Sequence, residues 1–156
     1  MRIGVVSDTH GDEFAIAEVL KAAGKVDAWI HLGDNLRDAP DFSKNGAQVY
    51  SVSGNCDFFG ETEQIILLDG IKIFACHGHT YGVDSGTARL SYRAQELGCT
   101  VALYGHTHVP DIDEYPDMLI LNPGSPTKPR RGAPYTFAML TTDGKGWADS
   151  EIIRIF

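Results

Sequence analysis

The side chains of this chain best suited to chemistry stand just beyond its short apolar runs. Residues 3–7 lead into Asp8 and His10, residues 29–32 into Asp34, and residues 49–53 into Asn55. Residues 71–76 lead into His77 and His79, and residues 101–104 into His106 and His108. Five of the six histidines fall in this set. Imidazole, carboxylate and amide donors without thiolates suit Mn²⁺, Fe²⁺, Co²⁺, Ni²⁺ or Zn²⁺, and fit Ca²⁺ or a cysteine-rich structural zinc poorly. Seven donors (Asp8, His10, Asp34, Asn55, His77, His106 and His108) exceed the needs of one tetrahedral ion. They match two ions sharing a carboxylate, about 3.5–4 Å apart, which can activate a water and clamp both sides of an in-line displacement at phosphorus. Any one Asp or His at a strand end is more often a turn former, so the weight lies in the joint pattern. Glycine directly precedes Asp34, Asn55, His79 and His106, as expected where backbone turns sharply to present a side chain. His31 sits within its apolar run and reads as a packing or support residue.

For these donors to meet, the runs must be strands whose carboxyl ends share one edge, the usual location of ligands in parallel sheets. Alternation of apolar runs with turn signals predicts strands at residues 2–7, 28–32, 48–52, 64–68, 71–76, 100–104, 118–121, 135–141 and 151–155. Ile16, Val19, Leu20 and Ala23 at i, i+3, i+4 and i+7 predict a helix over 12–23, with Asp12 as N-cap and Gly24 as stop. Leu90, Ala94 and Leu97 predict a second helix over 85–97. Asp69-Gly70 between two strand runs is a tight hairpin signal. Residues 34–45 read as a polar connection and residues 122–134 as one long loop. About nine strands and two helices, with βα units early and consecutive strands late, predict an α/β fold of two packed sheets with helices outside. No boundary divides residues 1–156, so one domain is expected.

Composition sets limits. A 156-residue chain that is 43% hydrophobic can bury a core without disulfides, and Cys56, Cys76 and Cys99 lack paired spacing, so free thiols are expected. A net charge of −8 argues against long nucleic acids as partners. The apolar runs are far shorter than the roughly 20 residues that span a bilayer, which excludes a transmembrane helix. The first run is also too short for the core of a signal peptide, so the cytoplasm is the expected compartment.

The ordered blocks Asp8-Thr9-His10, Gly33-Asp34, Gly54-Asn55-Cys56-Asp57, His77-Gly78-His79 and Gly105-His106-Thr107-His108, with Asn122-Pro123-Gly124-Ser125-Pro126, resemble the calcineurin-like metallophosphoesterases. The likeness is to their small YfcE-type phosphodiesterase branch. The resemblance implies a four-layer β-sandwich flanked by helices. It assigns one metal to Asp8, His10, Asp34 and His108 and a second to Asp34, Asn55, His77 and His106, with Mn²⁺ expected and Ni²⁺, Fe²⁺, Co²⁺ or Zn²⁺ compatible. A hydroxide between the metals would attack a small organic or nucleotide phosphodiester. Asp34, Asn55 and His79 are then the catalytic candidates, and Cys56, Asp57, His79 and Arg130 the substrate contacts.

Many family members carry His where this chain has Cys56, and a thiol is a poorer general acid. Cys56 reads equally as a small core residue. Asp57 is a candidate acceptor for a metal-bound imidazole. His79 reads either as the acid or as a solvated loop residue, and Arg130 and Arg131 either as a phosphate fork or as solvated charge. Phe58 and Phe59 fit a stacking surface or the core. The expected partner is a small phosphate ester, with no membrane and with a homo-oligomer left open. The alternative is a non-catalytic interaction module on the same fold, as in the retromer subunit that resembles this family.

Overall fold

The computed structural model describes residues 1–156. The strands are β1 (Arg2–Val6), β2 (Ala28–His31), β3 (Gln48–Ser51), β4 (Glu63–Leu68), β5 (Ile71–Cys76), β6 (Val101–Leu103), β7 (Asp111–Tyr115), β8 (Met118–Asn122), β9 (Thr136–Thr142) and β10 (Ala148–Arg154). The α-helices are α1 (Glu13–Ala23) and α2 (Ala88–Glu96). One five-stranded sheet runs β10-β9-β1-β2-β3 and the other β4-β5-β6-β8-β7. β1, β2 and β3 are mutually parallel, as are β5, β6 and β8, while the outer pairings are antiparallel.

Alternation along the strands produces the layers. Ile3 and Val5 of β1, with Ile30 and Leu32, meet Ile66, Ile73, Leu103 and Leu121 of the other sheet in a core between the sheets. Val6 and Trp29 face outward onto Ile16, Val19 and Ala23 of α1. On the far side, Phe74, Ala102 and Ile120 receive Leu90 and Ala94 of α2. Each fully buried aliphatic side chain contributes roughly 1.5–3 kcal/mol, so these layers set the strand register. Because β1–β3 and β5–β6 run parallel within their sheets, the segments after them emerge along one edge of the sandwich.

The two-sheet architecture and both helices match the sequence expectation, with local differences. A tenth strand, β7, lies in a stretch left unassigned and pairs only with β8 at the sheet edge. Its acidic Asp111, Asp113 and Glu114 mask the strand signal, and such charges are tolerated because an edge strand needs one ladder only. The connection after Asp34 contains a 3₁₀ helix, Leu36–Ser43, whose Phe42 packs on Trp29. α2 starts at Ala88 instead of residue 85, because Val83–Ser85 forms a separate 3₁₀ turn that Gly86 (φ 127°) ends. β10 begins at Ala148, three residues before the expected start. Asp69 (φ 48°) and Gly70 (φ 80°) form the tight hairpin their sequence predicts.

His31 supports the fold as expected. Its Nδ1 accepts from Gly33 N–H (3.1 Å), so Nε2 carries the proton and donates to Thr9 Oγ1 (2.9 Å). The Thr9 hydroxyl donates to Asp38 Oδ2 (2.5 Å), which also accepts from Gly11 N–H (2.8 Å). This chain ties β2 to the turn after β1. Complete burial pushes the His31 pKa down to about 4. Between about pH 6.5 and 4 the unfolded chain therefore binds a proton that the folded chain refuses, and stability is lost as pH falls through that window. The unfolding free energy from urea titrations is expected to fall less steeply over this window in His31→Gln than in the wild type. Equal slopes would contradict the neutral, buried state of His31.

Candidate metal centre

The segments beyond β1, β2, β5 and β6 bend into left-handed backbone. Asp8 (φ 57°), His10 (47°), Asp34 (58°), His106 (70°) and His108 (59°) make up five of the eight non-glycine residues with positive φ. Asp and His tolerate this region better than most residues, and its concentration at one edge marks a constrained site. Two glycines leave no room for alternatives. A Cβ on Gly54 would lie 2.2 Å from Asp34 Oδ1, and one on Gly105 would lie 2.0 Å from Ser7 Oγ.

Asp8, His10, Asp34 and His108 come together with donor atoms all within 4.8 Å of one another, a group that could hold a metal ion. Asp8 is fully buried; its Oδ2 accepts from Ser7 Oγ (2.6 Å) and His106 N–H (3.1 Å), while Oδ1 has no hydrogen-bond partner. His108 donates Nδ1–H to the Lys128 carbonyl (2.5 Å), which leaves the Nε2 lone pair 3.1 Å from Asp8 Oδ1. His77 repeats the device. Its Nδ1–H goes to the Leu32 carbonyl (2.7 Å), and Nε2 lies 3.4 Å from Asp34 Oδ2 and 3.7 Å from Asp8 Oδ1. His10 Nε2 and His77 Nε2 are also buried without partners. Imidazoles held by one nitrogen, with the other aimed at carboxylates, are the arrangement of metal-ligating histidines.

The remaining predicted ligands adjoin this group. His106 Nδ1 is 3.1 Å from Asn55 Oδ1, and its Nε2 is 3.0 Å from Asp84 Oδ2. The rings of His77 and His106 are 5.3 Å apart. Asp84 is a residue that sequence reasoning missed; it lies on the 3₁₀ turn between Gly82 and Gly86, where nothing in the local pattern distinguishes it from a turn former.

The electrostatics are those of a site built for cations. Burial alone would raise the Asp34 carboxyl, but the His77 imidazole and the Cys56 N–H outweigh it and hold the group well below the usual carboxylate range. Burial works against protonation of His77, yet Asp34 and Asp8 raise its pKa overall. A proton on His77 thus stands in for positive charge that the two carboxylates demand. Donor set, orphaned lone pairs and charge all fit divalent ions.

The expected substrate contacts divide. Both oxygens of Asp57 are engaged by backbone: Oδ2 accepts from Asp34 N–H (2.9 Å) and Gly54 N–H (2.8 Å), Oδ1 from Asn35 N–H (3.1 Å) and Leu36 N–H (2.8 Å). A carboxylate has about four acceptor positions, so Asp57 is neither a substrate contact nor an acceptor for an imidazole but the clamp that shapes the Asp34 turn. Cys56 is exposed, not core; burial of its sulfur and the Asp34 charge push its pKa up, so the thiol stays protonated. His79 is half-buried, its Nδ1 lacks a partner, and its ring lies 5.4 Å from that of His77. Arg130 is exposed and lines a cleft of about 240 Å³ with Arg131, Asp84 and Thr107, and its backbone N–H donates to the His108 carbonyl (3.2 Å). Residues 122–127 brace the site from behind. Asn122 Nδ2 donates to the Gly105 carbonyl (3.1 Å) and to Thr107 Oγ1 (2.9 Å), and the hydroxyls of Ser125 and Thr127 donate to the Asp8 carbonyl (both 2.9 Å).

Residues 1–145 match the family model of the calcineurin-like phosphoesterase superfamily domain. The chain is 32% identical to the probable metallophosphoesterase YsnB of Bacillus subtilis, over 100% of this chain and 90% of that protein. It is 28% identical to the phosphodiesterase YfcE of Escherichia coli K12, over 92% and 89% of the two chains. Among solved structures, a conserved Streptococcus pneumoniae protein described as a predicted phosphoesterase superposes with a TM-score of 0.83 at 32% identity, covering 99% of this chain and 92% of that one. The zinc complex of Vps29 from Entamoeba histolytica shares the fold, with a TM-score of 0.79 at 20% identity and full coverage of both chains. No helix is long and apolar enough to cross a membrane. A shared family model across nearly the whole chain, on the two-sheet fold that carries the histidine and aspartate cluster, places this protein in the calcineurin-like phosphoesterase superfamily, a family of metal-dependent hydrolases, within its small YfcE-type branch.

Proposed function

We propose that this chain is a two-metal-dependent phosphodiesterase acting on a small organic or nucleotide phosphodiester. The observation that carries the reading is the set of buried, unpartnered atoms Asp8 Oδ1, His10 Nε2 and His77 Nε2 facing one another across a few ångströms. Leaving such atoms unsatisfied costs about 1–3 kcal/mol each unless an ion completes them. In this reading Asp8, His10, Asp34 and His108 hold one ion, and Asp34, Asn55, His77 and His106 hold the other. Divalent ions, Mn²⁺ foremost, would supply Lewis acidity at the phosphoryl oxygens and lower the pKa of a bound water.

The protein's own groups then have separate tasks. Asp34, held by Cys56 N–H at Oδ1 (3.0 Å) and by the Asp57 clamp on its backbone, supplies the shared carboxylate in a fixed position. Asp84 fixes the tautomer of His106 by accepting at Nε2, which keeps the Nδ1 lone pair toward Asn55 and the second ion. In this reading His79, whose ring lies beside those of His77 and His106, would donate a hydrogen bond to the leaving oxygen. Arg130 and Arg131, which line the neighbouring cleft, would hold a non-bridging oxygen or an anionic arm of the substrate. The complete donor set favours catalysis over a non-catalytic module on the same fold.

Asp34→Asn is expected to lower Mn²⁺-dependent turnover of bis(p-nitrophenyl) phosphate by roughly a hundredfold or more, the scale of a lost metal contribution. The circular dichroism spectrum should stay native, and turnover within a few-fold of wild type would contradict the assignment. Asp84→Asn is expected to weaken Mn²⁺ binding by roughly 10- to 100-fold in calorimetric titrations, the usual effect of removing a partner behind a ligating histidine. Unchanged affinity would show that the contact with His106 has no part in metal binding.

A further inference from the structure

Beside the turn that carries Asn55 lies a pocket of about 250 Å³ that the metal centre does not use. It is lined by Asn35, Arg37, Cys56, Asp57, Phe58 and Phe59. This volume falls below the roughly 300–1,000 Å³ of sites for drug-sized molecules and suits a single ring system. Phe58 is 100% exposed and Phe59 53% exposed, so the core alternative for this aromatic pair does not hold. Phe58 and Phe59 thus leave two aromatic faces open beside the turn that carries Asn55.

The pocket is built, not incidental. Asp57 sits between Cys56 and Phe58 and accepts from the N–H groups of Asp34, Asn35, Leu36 and Gly54. One carboxylate thereby ties the segment leading into Arg37 to the turn leading into Phe58, and fixes the backbone on both sides of the pocket. Cys56 belongs to the wall and donates its N–H to Asp34 Oδ1, so one wall of the pocket is hydrogen-bonded to the carboxylate shared by the two proposed ions. Arg37 adds an exposed guanidinium, which stacks on flat rings and favours an electron-rich face.

We propose that this pocket is a subsite for a nucleobase-sized aromatic ring on the substrate, stacked against Phe58 and Phe59 with Arg37 at its border. The inference rests on the phosphodiesterase reading and narrows it to esters bearing such a ring. It also gives Asp57 a second consequence, since the clamp that positions Asp34 sets the distance between the ring and the phosphorus.

The test compares adenosine 5′-monophosphate with ribose 5-phosphate, which share the phosphate and sugar and differ in the base, by calorimetry on the Mn²⁺-loaded protein. The base is expected to improve affinity at least about tenfold, as stacking on aromatic side chains does. Phe58→Ala, Phe59→Ala or both should bring the two ligands to within about threefold while leaving ribose 5-phosphate affinity unchanged. Phe58 makes no core contribution, so its variant is expected to fold. Equal affinities in the wild type, or a preference that survives both substitutions, would overturn the subsite alone if bis(p-nitrophenyl) phosphate is still hydrolysed. If neither ligand binds and no diester is hydrolysed, the phosphodiesterase reading itself falls, and the subsite with it.

Discussion

Left-handed backbone at the strand ends turns the donor side chains toward one point. Asp8, His10, Asp34, His106 and His108 all adopt it, at a cost of order 1–3 kcal/mol each. Extended continuation of the strands would send these side chains to alternate faces instead of toward one point. The strain persists because the surroundings over-determine it. Asp57 grips four N–H groups around the Asp34 turn, Ser125 and Thr127 hold the Asp8 carbonyl, and Asn122 holds the carbonyl of Gly105. The two hydrophobic layers outside the sheets and the core between them give this bracing a rigid base.

The same geometry creates an electrostatic problem with one good solution. Two buried carboxylates face imidazole lone pairs at 3.1–3.7 Å, with their other polar atoms already committed to hydrogen bonds. Protonation of His77 relieves part of the charge, and divalent ions would relieve all of it. With ions bound, an acidic chain of net charge −8 would still suit a small anionic ester, as proposed above. Bound ions would reverse the field locally, where the carboxylates converge.

Much of this was legible in the sequence because the donors follow apolar runs in order, and parallel strands bring their ends together. The candidate donors at the strand ends, both helices and the two-sheet fold could be read from spacing and periodicity. The contributions of Asp57 and Asp84 could not. An Asp after a Gly-Asn turn looks alike whether it faces a histidine or the backbone, and only the folded loops show that Asp57 takes four N–H groups from two segments some twenty residues apart. Asp84 meets His106 between the segments that follow β5 and β6, neighbouring strands of one sheet, a contact with no sequence periodicity. β7 escaped notice because its edge position permits charges that a central strand would exclude. The exposure of Phe58 was equally hidden, since an aromatic pair after a turn has the same pattern whether it packs inward or outward.

If these strand ends hold two ions around one carboxylate, as proposed, crystals of the Mn²⁺-loaded protein should give two anomalous diffraction peaks about 3.5–4 Å apart, on either side of the Asp34 carboxylate. Asp8, His10 and His108 should surround one peak, and Asn55, His77 and His106 the other. A single peak, or two peaks not bridged by Asp34, would rule out the shared-carboxylate arrangement.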